Sequence, residues 1–484
     1  MRDRATARFR FDLGGATAPL PHVWEHTVGS GRALLALRAD WQAQLRGAHQ
    51  ELGFRHVRFH DLLSDDMGTV VQPRGATVFS FHNADVIYDA LLDMGVRPFV
   101  ELSFMPTSIA SGERTVFAYH ANVTPPSDMR DWQDLIRRLT EHWIERYGRE
   151  EVRRWYFEVW NEPNLEEFWS GTRSDYFTLY RSTARVLKEA DPDLRVGGPA
   201  TAQNGWIPEF LEFCRKHDVP ADFVSTHHYP TDALGGEDDD TEARLARATR
   251  GVLRDQAAEA RRQAGDRPLY YTEWNTSSDA RDPLHDAPWA AAFVAKAALE
   301  ASGIVDGYAF WTFSDIFEET YFPSVPFHGG FGLMSIHGIP KPTYRAFELL
   351  HALGEERLEL AGTHPTVDAW ATRRETALVL LLANHALPRQ PIEPESVRIE
   401  IEGARRPARA VLRRVDDTHA NAVAAWRLMG APEYPSPGQV EELIEASRLI
   451  DEGVEIERLE DGLAVTLEMP PHAVASVTLE GLWS

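Results

Sequence analysis

The chain reads FEVWNEP at residues 157–163 and LYYTEWN at residues 269–275, and these two segments decide its fold. Each is a short apolar and aromatic run that leads to a glutamate and then to a turn-forming residue, the pattern of a buried β-strand. One interpretation makes Glu162 and Glu273 solvated charges or halves of ion pairs. Two such strand ends in one chain favour the other interpretation, in which both carboxylates point into one pocket.

Strands and helices alternate on either side of these segments, over residues 16–353. Eight strands with intervening helices predict a (β/α)₈ barrel, which builds its site at the carboxyl ends of its strands. On this count Glu162 ends strand four and Glu273 ends strand seven. The predicted strands lie near residues 23–25, 56–60, 97–102, 155–160, 194–198, 223–227, 269–272 and 308–313. The predicted helices lie at residues 84–92, 132–147, 176–190, 242–264 and 289–302.

The sequence changes in character after residue 354. Short apolar runs at 377–382, 396–401, 409–412 and 475–479 are separated by prolines and charged turns. This pattern predicts an all-β sandwich over residues 354–484, with a helical insertion near 437–449. The N-terminal segment, residues 1–15, contains an alternating run at 7–13 that is a candidate further strand of the same sandwich.

Composition excludes several classes of partner. The 484 residues carry a net charge of -24, which argues against nucleic acid or an acidic membrane surface and suits a neutral ligand. A single cysteine, Cys214, rules out an intrachain disulfide. We find no signal peptide and no apolar run long enough for a membrane span, so the prediction is a cytoplasmic protein. The sequence does not decide between a monomer and a homo-oligomer.

Two carboxylates in one pocket are the apparatus of glycoside hydrolysis. Pro163 fixes the backbone after Glu162, which we assign as the acid/base because burial and a nearby carboxylate would keep it protonated. The amide of Asn161 is placed to bond a sugar hydroxyl. Glu273 must stay ionised to attack the anomeric carbon. His227 and Tyr229, at the end of strand six, are candidate hydrogen-bond donors to it.

Other strand ends offer groups that could hold sugar hydroxyls. Arg58 and His60 share one face of strand two, because residues i and i+2 point the same way. Trp311 ends strand eight, and Glu318 and Glu319 lie in the loop beyond it. A structural ion pair is an equal alternative for any one of them.

Several motifs together resemble glycoside hydrolase family 39, and most closely its β-xylosidases. They are RHVRFH at 55–60, TVF at 115–117, NVTPP at 122–126, and the stretches 157–169, 271–275, 310–319, 327–333, 416–421 and 426–430. The resemblance implies a retaining (β/α)₈ glycosidase with Glu162 as acid/base and Glu273 as nucleophile. It also implies a sugar subsite formed by Asn161, Arg58, His60, Phe117, Phe168, His227, Tyr229, Trp311 and one of Glu318 and Glu319, with Glu319 preferred. The chain departs from the expected pattern at Ser277 and Ser278, where an aromatic residue is expected.

The predicted function is therefore an exo-acting retaining β-D-xylosidase that acts on short xylo-oligosaccharides or aryl xylosides, without metal or organic cofactor. The alternative is an α-L-arabinosidase or a β-glucosidase of the same fold. An α-L-iduronidase is disfavoured, because a uronic acid needs a cation and the strand ends offer little beyond Arg58. A non-catalytic sugar-binding barrel is a further alternative, but that interpretation requires the loss of one carboxylate, and both Glu162 and Glu273 are present. A metal-dependent hydrolase would use His227 and His228, but adjacent residues on a strand point to opposite faces.

Overall fold

The computed structural model describes residues 6–72, 75–231 and 240–482. Within them eight parallel strands pair in chain order and close into a barrel, which confirms the predicted (β/α)₈ fold. The strands of the barrel, numbered one to eight along the chain, are Thr27–Arg32, His56–His60, Arg97–Leu102, Tyr156–Val159, Arg195–Thr201, Phe223–His228, Leu269–Trp274 and Gly307–Phe310.

A helix follows each strand and covers the outside of the barrel. The helix Met129–Tyr147 buries Trp132, Leu135, Ile136 and Leu139, the spacing of one helical face. The eight main helices are Ala39–Leu52, His82–Asp93, Met129–Tyr147, Arg173–Ala190, Ile207–His217, Val252–Ala264, Pro288–Ala301 and Pro342–His351. Shorter helices span Arg149–Val152 and Thr241–Leu245, and small hairpins join Val70–Val71 to Val78–Phe79 and Thr115–Val116 to Ala121–Asn122.

Two predicted elements were wrong. Residues Val23–Glu25 form a 3₁₀ turn, and strand one is the next segment, Thr27–Arg32, which lacks an apolar run. A Cβ at Gly29 would lie 2.5 Å from the Trp311 ring, so this strand is glycine-rich because it passes directly beside that ring. The helix predicted over 242–264 is broken, and its second part starts after Gly251.

The interior of the barrel changes from apolar to charged within two residues along its strands. Phe99, Tyr156, Phe223 and Tyr270 form a buried aromatic cluster near the amino ends of their strands. Glu101 and Glu158 pair in register two residues further on, and alternation turns them to the same interior face as the aromatic rings. The aromatic cluster therefore closes one end of the barrel and leaves the polar site at the other.

The C-terminal region contains two sheets that share one hydrophobic core. The strands of the four-stranded sheet are, in order, Ala7–Asp12, Glu395–Glu402, Gly462–Met469 and Ile456–Leu459. The strands of the six-stranded sheet are, in order, Arg409–Val415, Ala473–Glu480, Ala377–Asn384, Val367–Arg374, Glu356–Leu358 and Thr17–Pro19. The first strand of the chain pairs in parallel with Glu395–Glu402 and so joins the sandwich.

One boundary differs from the prediction. Thr17–Pro19, which we expected in the barrel, pairs with Glu356–Leu358 of the six-stranded sheet. A three-residue strand carries too little pattern to be recognised, and its partner lies more than 300 residues away. The helical insertion contains two helices, Ala422–Leu428 and Pro437–Ala446, which pack on Phe327 and Ile339 of the barrel.

No helix among the described residues is long and apolar enough to cross a membrane. Residues 1–5, on which the predicted cytoplasmic location depends, lie outside the described part of the chain.

Candidate active site

Glu162 and Glu273 face each other at the carboxyl end of the barrel. Glu162 lies three residues beyond strand four, and Glu273 lies within strand seven. An oxygen of one carboxyl group is within 4.8 Å of an oxygen of the other. Retaining glycosidases place their two carboxyl groups about 5–5.5 Å apart and inverting ones about 6.5–9.5 Å apart. An oxygen-to-oxygen approach within 4.8 Å is compatible with the retaining spacing.

Left-handed backbone directs Glu162 into the barrel. Trp160 has φ 72° and Glu162 has φ 42°, a region that costs a non-glycine residue about 1–3 kcal/mol. The Glu162 N–H donates to the carbonyl of Ala200 at 2.8 Å, and the Trp160 indole N–H donates to the carbonyl of Phe168 at 2.8 Å. These two bonds hold the strained turn.

Arg58 lies beneath the two carboxylates, not beside a sugar. Its side chain is 0% exposed. Nε donates to Glu158 at 2.6 Å, Nη1 to Glu273 at 2.8 Å, and Nη2 lies 2.7 Å from Glu101 and 3.0 Å from Oδ1 of Asn161. We predicted that Arg58 holds sugar hydroxyls; with every nitrogen engaged and none exposed, its geometry instead fits a residue that positions Glu273 and Asn161.

Hydrogen-bond donors surround Glu273. Arg58 donates to Oε1, the Tyr229 hydroxyl donates to Oε2 at 2.9 Å, and Nε2 of His60 lies 3.6 Å from Oε1. Such donors stabilise a carboxylate anion, the form that a nucleophile needs. Tyr229 thus lies where the sequence analysis expected it.

His227 contacts the other carboxyl group. Its Nδ1 is 2.8 Å from Oε1 of Glu162 and 3.7 Å from Oε1 of Glu273, so the predicted bond to Glu273 was wrong. Burial lowers the pKa of His227 to about 4, and burial raises the pKa of Glu162 to about 7. A neutral histidine beside a carboxyl group with a raised pKa is the environment of an acid.

His60 and Glu319 form the opposite side of the site. Burial alone would lower the pKa of His60, but Glu101, 2.7 Å away, and Glu273 raise it to about 9. Oε1 of Glu319 lies 3.8 Å from His60, and burial together with the charges of Glu273 and Glu162 raises the pKa of Glu319 to about 8. Glu318 points elsewhere and accepts from Arg32 at 2.6 Å.

These groups line a cavity of about 370 Å³. Nine of the residues predicted from the sequence line it: His60, Phe117, Asn161, Glu162, Phe168, Tyr229, Glu273, Trp311 and Glu319. Arg58, His227 and Glu318 are absent from the lining. The remaining lining residues are Leu165, Ala202, Gln203, Arg244, Ser278 and Phe331.

Sequence reasoning missed the polar residues beneath the cavity. Glu101, Glu158 and Thr272 are all buried and bond the groups described above. A charge in the middle of an apolar strand, as in VEL at 100–102 and FEV at 157–159, was the signal for the two glutamates. Thr272 gave no signal.

A buried lysine fixes the loops at the edge of the cavity. Nζ of Lys341 lies 2.7 Å from both Asp286 and Asp315 and donates to the carbonyl of Gly330 at 2.9 Å. These partners come from the loops after strands seven and eight, so one ammonium group ties together the segments that carry Ser278, Trp311 and Phe331.

Glu162, His227 and Glu273 offer one donor atom each within 4.8 Å of one another, a spacing at which metal ligands are also found. Here Glu162 and His227 bond each other, and Glu273 bonds the Arg58 cation. The cluster is therefore explained by its own contacts as a carboxylate pair with its partners.

Comparisons with known proteins agree with this geometry. The chain is 44% identical to a β-xylosidase of Caldicellulosiruptor saccharolyticus, over 99% of this chain and all of that protein. It is 39% identical to a β-xylosidase of Geobacillus stearothermophilus, over 87% of this chain and 85% of that protein. Its structure matches that of a monomeric β-xylosidase from Caulobacter crescentus CB15 with a TM-score of 0.88 and 34% identity, over 99% of this chain and 100% of the other.

The family model described as glycosyl hydrolases family 39 matches residues 9–457, which include the barrel, both carboxylates and most of the sandwich. This chain belongs to glycoside hydrolase family 39, and it is a glycoside hydrolase.

Proposed function

We propose that this protein is an exo-acting, retaining β-D-xylosidase. One observation carries the proposal: two carboxyl groups whose oxygens approach within 4.8 Å have opposite surroundings. Glu273 accepts from a buried cation and a tyrosine, whereas Glu162 faces a neutral histidine. A pair whose environments differ in this way divides into a nucleophile and an acid. The two relatives of highest identity given above bear the name β-xylosidase.

The first step forms a glycosyl-enzyme. An oxygen of Glu273 attacks the anomeric carbon while Glu162 gives its proton to the glycosidic oxygen. The bond to the leaving group breaks as the bond to Glu273 forms, through an oxocarbenium-like transition state. Arg58 and Tyr229 hold the attacking carboxylate in place.

The second step reverses these roles. Glu162, now a carboxylate, takes a proton from water, whose oxygen attacks the anomeric carbon. Glu273 leaves as a carboxylate, and the sugar departs with its original anomeric configuration. The pKa of about 7 for Glu162 in the free enzyme suits a group that must both give and take a proton.

The size and walls of the cavity support a pentose as the glycone. At about 370 Å³ it is at the small end of the range of ligand sites, roughly 300–1,000 Å³. Trp311, Phe331, Phe117 and Phe168 supply bulk, and Asn161, His60 and Glu319 supply polar groups. A hydroxymethyl group at C5 would need room that such bulk removes.

The charges of the cavity argue against a uronic acid. Among the described lining residues the basic side chains are His60 and Arg244. His60 bonds Glu101 at 2.7 Å, and Arg244 lies 3.2 Å from Asp279. Both cations already face a carboxylate.

We propose the β-sandwich as an accessory domain, since the lining residues of the cavity all precede residue 332. Its helical insertion supports Phe327 and Ile339 near the loop after strand eight.

A panel of p-nitrophenyl glycosides tests the proposal. The β-D-xyloside should exceed the β-D-glucoside by at least about tenfold in kcat/KM, which corresponds to roughly 1.4 kcal/mol of transition-state binding. The α-L-arabinoside should also be slower, and an iduronide slowest. The Glu273→Gln variant is the matched control for contaminating activity. A faster glucoside or arabinoside would leave the fold and mechanism intact and refute the xylosidase assignment.

A further inference from the structure

A chain of hydrogen bonds links the buried carboxylate of Glu158 to Glu162. The Thr272 hydroxyl donates to Oε1 of Glu158 at 2.8 Å. The same hydroxyl lies 3.0 Å from Nε2 of His227, and Nδ1 of His227 lies 2.8 Å from Oε1 of Glu162. Glu158, Thr272 and His227 are each 0% exposed. The chain therefore lies below the cavity, where water cannot replace its members.

A β-bulge brings Thr272 into this chain. Thr226 pairs with Tyr271 and His227 pairs with Glu273, so Thr272 has no partner on strand six. In a regular strand Thr272 and Glu273 would point to opposite faces. The extra residue re-aims the side chain, as bulges next to active sites do, and both Thr272 and Glu273 reach the barrel interior.

The direction of each hydrogen bond follows from the donors and acceptors that are present. Glu158 accepts at both oxygens, from Nε of Arg58 at Oε2 across 2.6 Å and from the Thr272 hydroxyl at Oε1 across 2.8 Å. The single hydroxyl hydrogen of Thr272 must therefore point to Glu158. Its oxygen is then the acceptor for His227, which places a hydrogen on Nε2.

His227 is neutral in this environment. Facing it are the cations Arg58 and His60 and the acidic groups Glu158, Glu162 and Glu273. Burial dominates over the attraction of the carboxylates and lowers the pKa of His227 to about 4. A neutral imidazole with a hydrogen on Nε2 has a lone pair on Nδ1. The bond between Nδ1 and Glu162 then requires Glu162 to be the donor.

We propose that Thr272 and Glu158 are positioning residues that hold His227 as its Nε2–H tautomer and thereby keep the acid's proton on Glu162 in the free enzyme. This proposal rests on the proposed role of Glu162. Neither Thr272 nor Glu158 lines the cavity, so both act through His227.

The tautomer can be measured without any substrate. In wild-type protein labelled with ¹⁵N-histidine, long-range ¹H–¹⁵N NMR at pH 6 should show His227 with hydrogen on Nε2 and a bare Nδ1. The His227→Gln variant assigns the signal by its loss. An Nδ1–H tautomer or an imidazolium ion in the wild type would overturn the proposal, whether or not any glycoside is hydrolysed.

The Thr272→Val variant tests the consequence for the acid. Without the hydroxyl, His227 is free to carry its hydrogen on Nδ1 and donate to ionised Glu162. The alkaline limb of kcat/KM for phenyl β-xyloside should therefore move down by about one pH unit, a tenfold change in the ionisation constant of Glu162. Thr272→Ser, which keeps the hydroxyl, should restore the wild-type limb.

Two controls separate this effect from a structural defect. Thr226→Val removes a buried hydroxyl that donates to the carbonyl of Thr201 at 2.8 Å, outside the chain, and should leave the limb in place. With 2,4-dinitrophenyl β-xyloside, whose leaving group needs little protonation, Thr272→Val should retain kcat/KM. The positioning role would be refuted if Thr272→Val lost kcat/KM equally with both aryl xylosides and the alkaline limb of its pH profile did not move.

Discussion

Arg58 donates from Nη1 to Oε1 of Glu273 across 2.8 Å while its Nε bonds Glu158 at 2.6 Å. One buried guanidinium thus supports both the carboxylate proposed to attack the sugar and the carboxylate that begins the chain to His227. Arginine suits this position because its planar fork presents several donors in fixed directions. The charge of Arg58 also offsets the burial of Glu158 and, together with His60, that of Glu101.

Replacement of Arg58 should affect both stability and activity. Arg58→Met leaves Glu158 without its cation and Glu101 with His60 alone, and it should lower the free energy of unfolding by about 3–5 kcal/mol. Arg58→Lys keeps the charge but not the fork, so it should fold and lose at least about 100-fold in kcat. Urea unfolding and steady-state kinetics measure the two effects. The exposed Arg409→Met is the control and should change stability by less than about 0.5 kcal/mol.

Hydrolysis should proceed with retention of configuration. The motivation is the oxygen-to-oxygen approach within 4.8 Å between Glu162 and Glu273. Proton NMR at early times should show β-xylose as the first product from an aryl β-xyloside, followed by slow mutarotation. Initial α-xylose would show that the two carboxyl groups act by inversion and that the proposed glycosyl-enzyme does not form.

Removal of Glu162 should slow the second step more than the first when the leaving group is good. In Glu162→Ala, water lacks its base, so the glycosyl-enzyme accumulates. Azide needs no base and should restore turnover with β-xylosyl azide as product. The matched variant Glu273→Ala should give α-xylosyl azide with an activated donor. The reverse pairing of variants and azide anomers would mean that the two roles are exchanged.

The activity of the wild type should decline above neutral pH. Burial raises the pKa of Glu162 to about 7, and the acid functions only while protonated. The value of kcat/KM for phenyl β-xyloside should therefore fall about tenfold per unit well above pH 7. The same profile for 2,4-dinitrophenyl β-xyloside should stay flat over this range. If both substrates showed the same fall in kcat/KM at alkaline pH, the group that titrates would not be the acid Glu162.

Glu319 should make the protein less stable as pH rises. Burial, followed by the charges of Glu273 and Glu162, raises its pKa to about 8 from an ordinary value of 4.5. The folded state therefore binds more protons than the unfolded state between these values, and the free energy of unfolding falls across that interval. Glu319→Gln lacks this loss. The free energy of unfolding of the variant minus that of the wild type should therefore rise by roughly 2–4 kcal/mol from pH 5 to pH 9.

Urea midpoints at the two pH values measure the change at Glu319. Glu318→Gln is the matched control, because it removes the neighbouring carboxylate that accepts from Arg32 at 2.6 Å. That variant should be less stable than wild type at pH 9. If Glu319→Gln also loses stability at pH 9 relative to wild type, the ionised carboxylate of Glu319 stabilises the folded protein and its pKa is not raised.

The sequence by itself determined the barrel and its two carboxylates. Strands four and seven are strongly apolar, and a glutamate lies near the carboxyl end of each, so local pattern identified both the element and the position of its charge. The rule that barrel sites form at the carboxyl ends of strands then predicted that Glu162 and Glu273 would meet. The cavity walls Phe117, Phe168 and Trp311 came from the motifs of the family.

Tertiary structure alone decided which groups bond each other. Whether His227 contacts Glu162 or Glu273 depends on the stagger of strands six and seven, and a bulge at Thr272 changes that stagger. Strand one, Thr27–Arg32, could not be recognised from local pattern because it has no apolar run. Its extended conformation is imposed by the neighbouring strands and by the Trp311 ring, which packs against Gly29. Periodicity along a chain records local burial, whereas partner choice depends on residues that are distant in sequence and close only after folding.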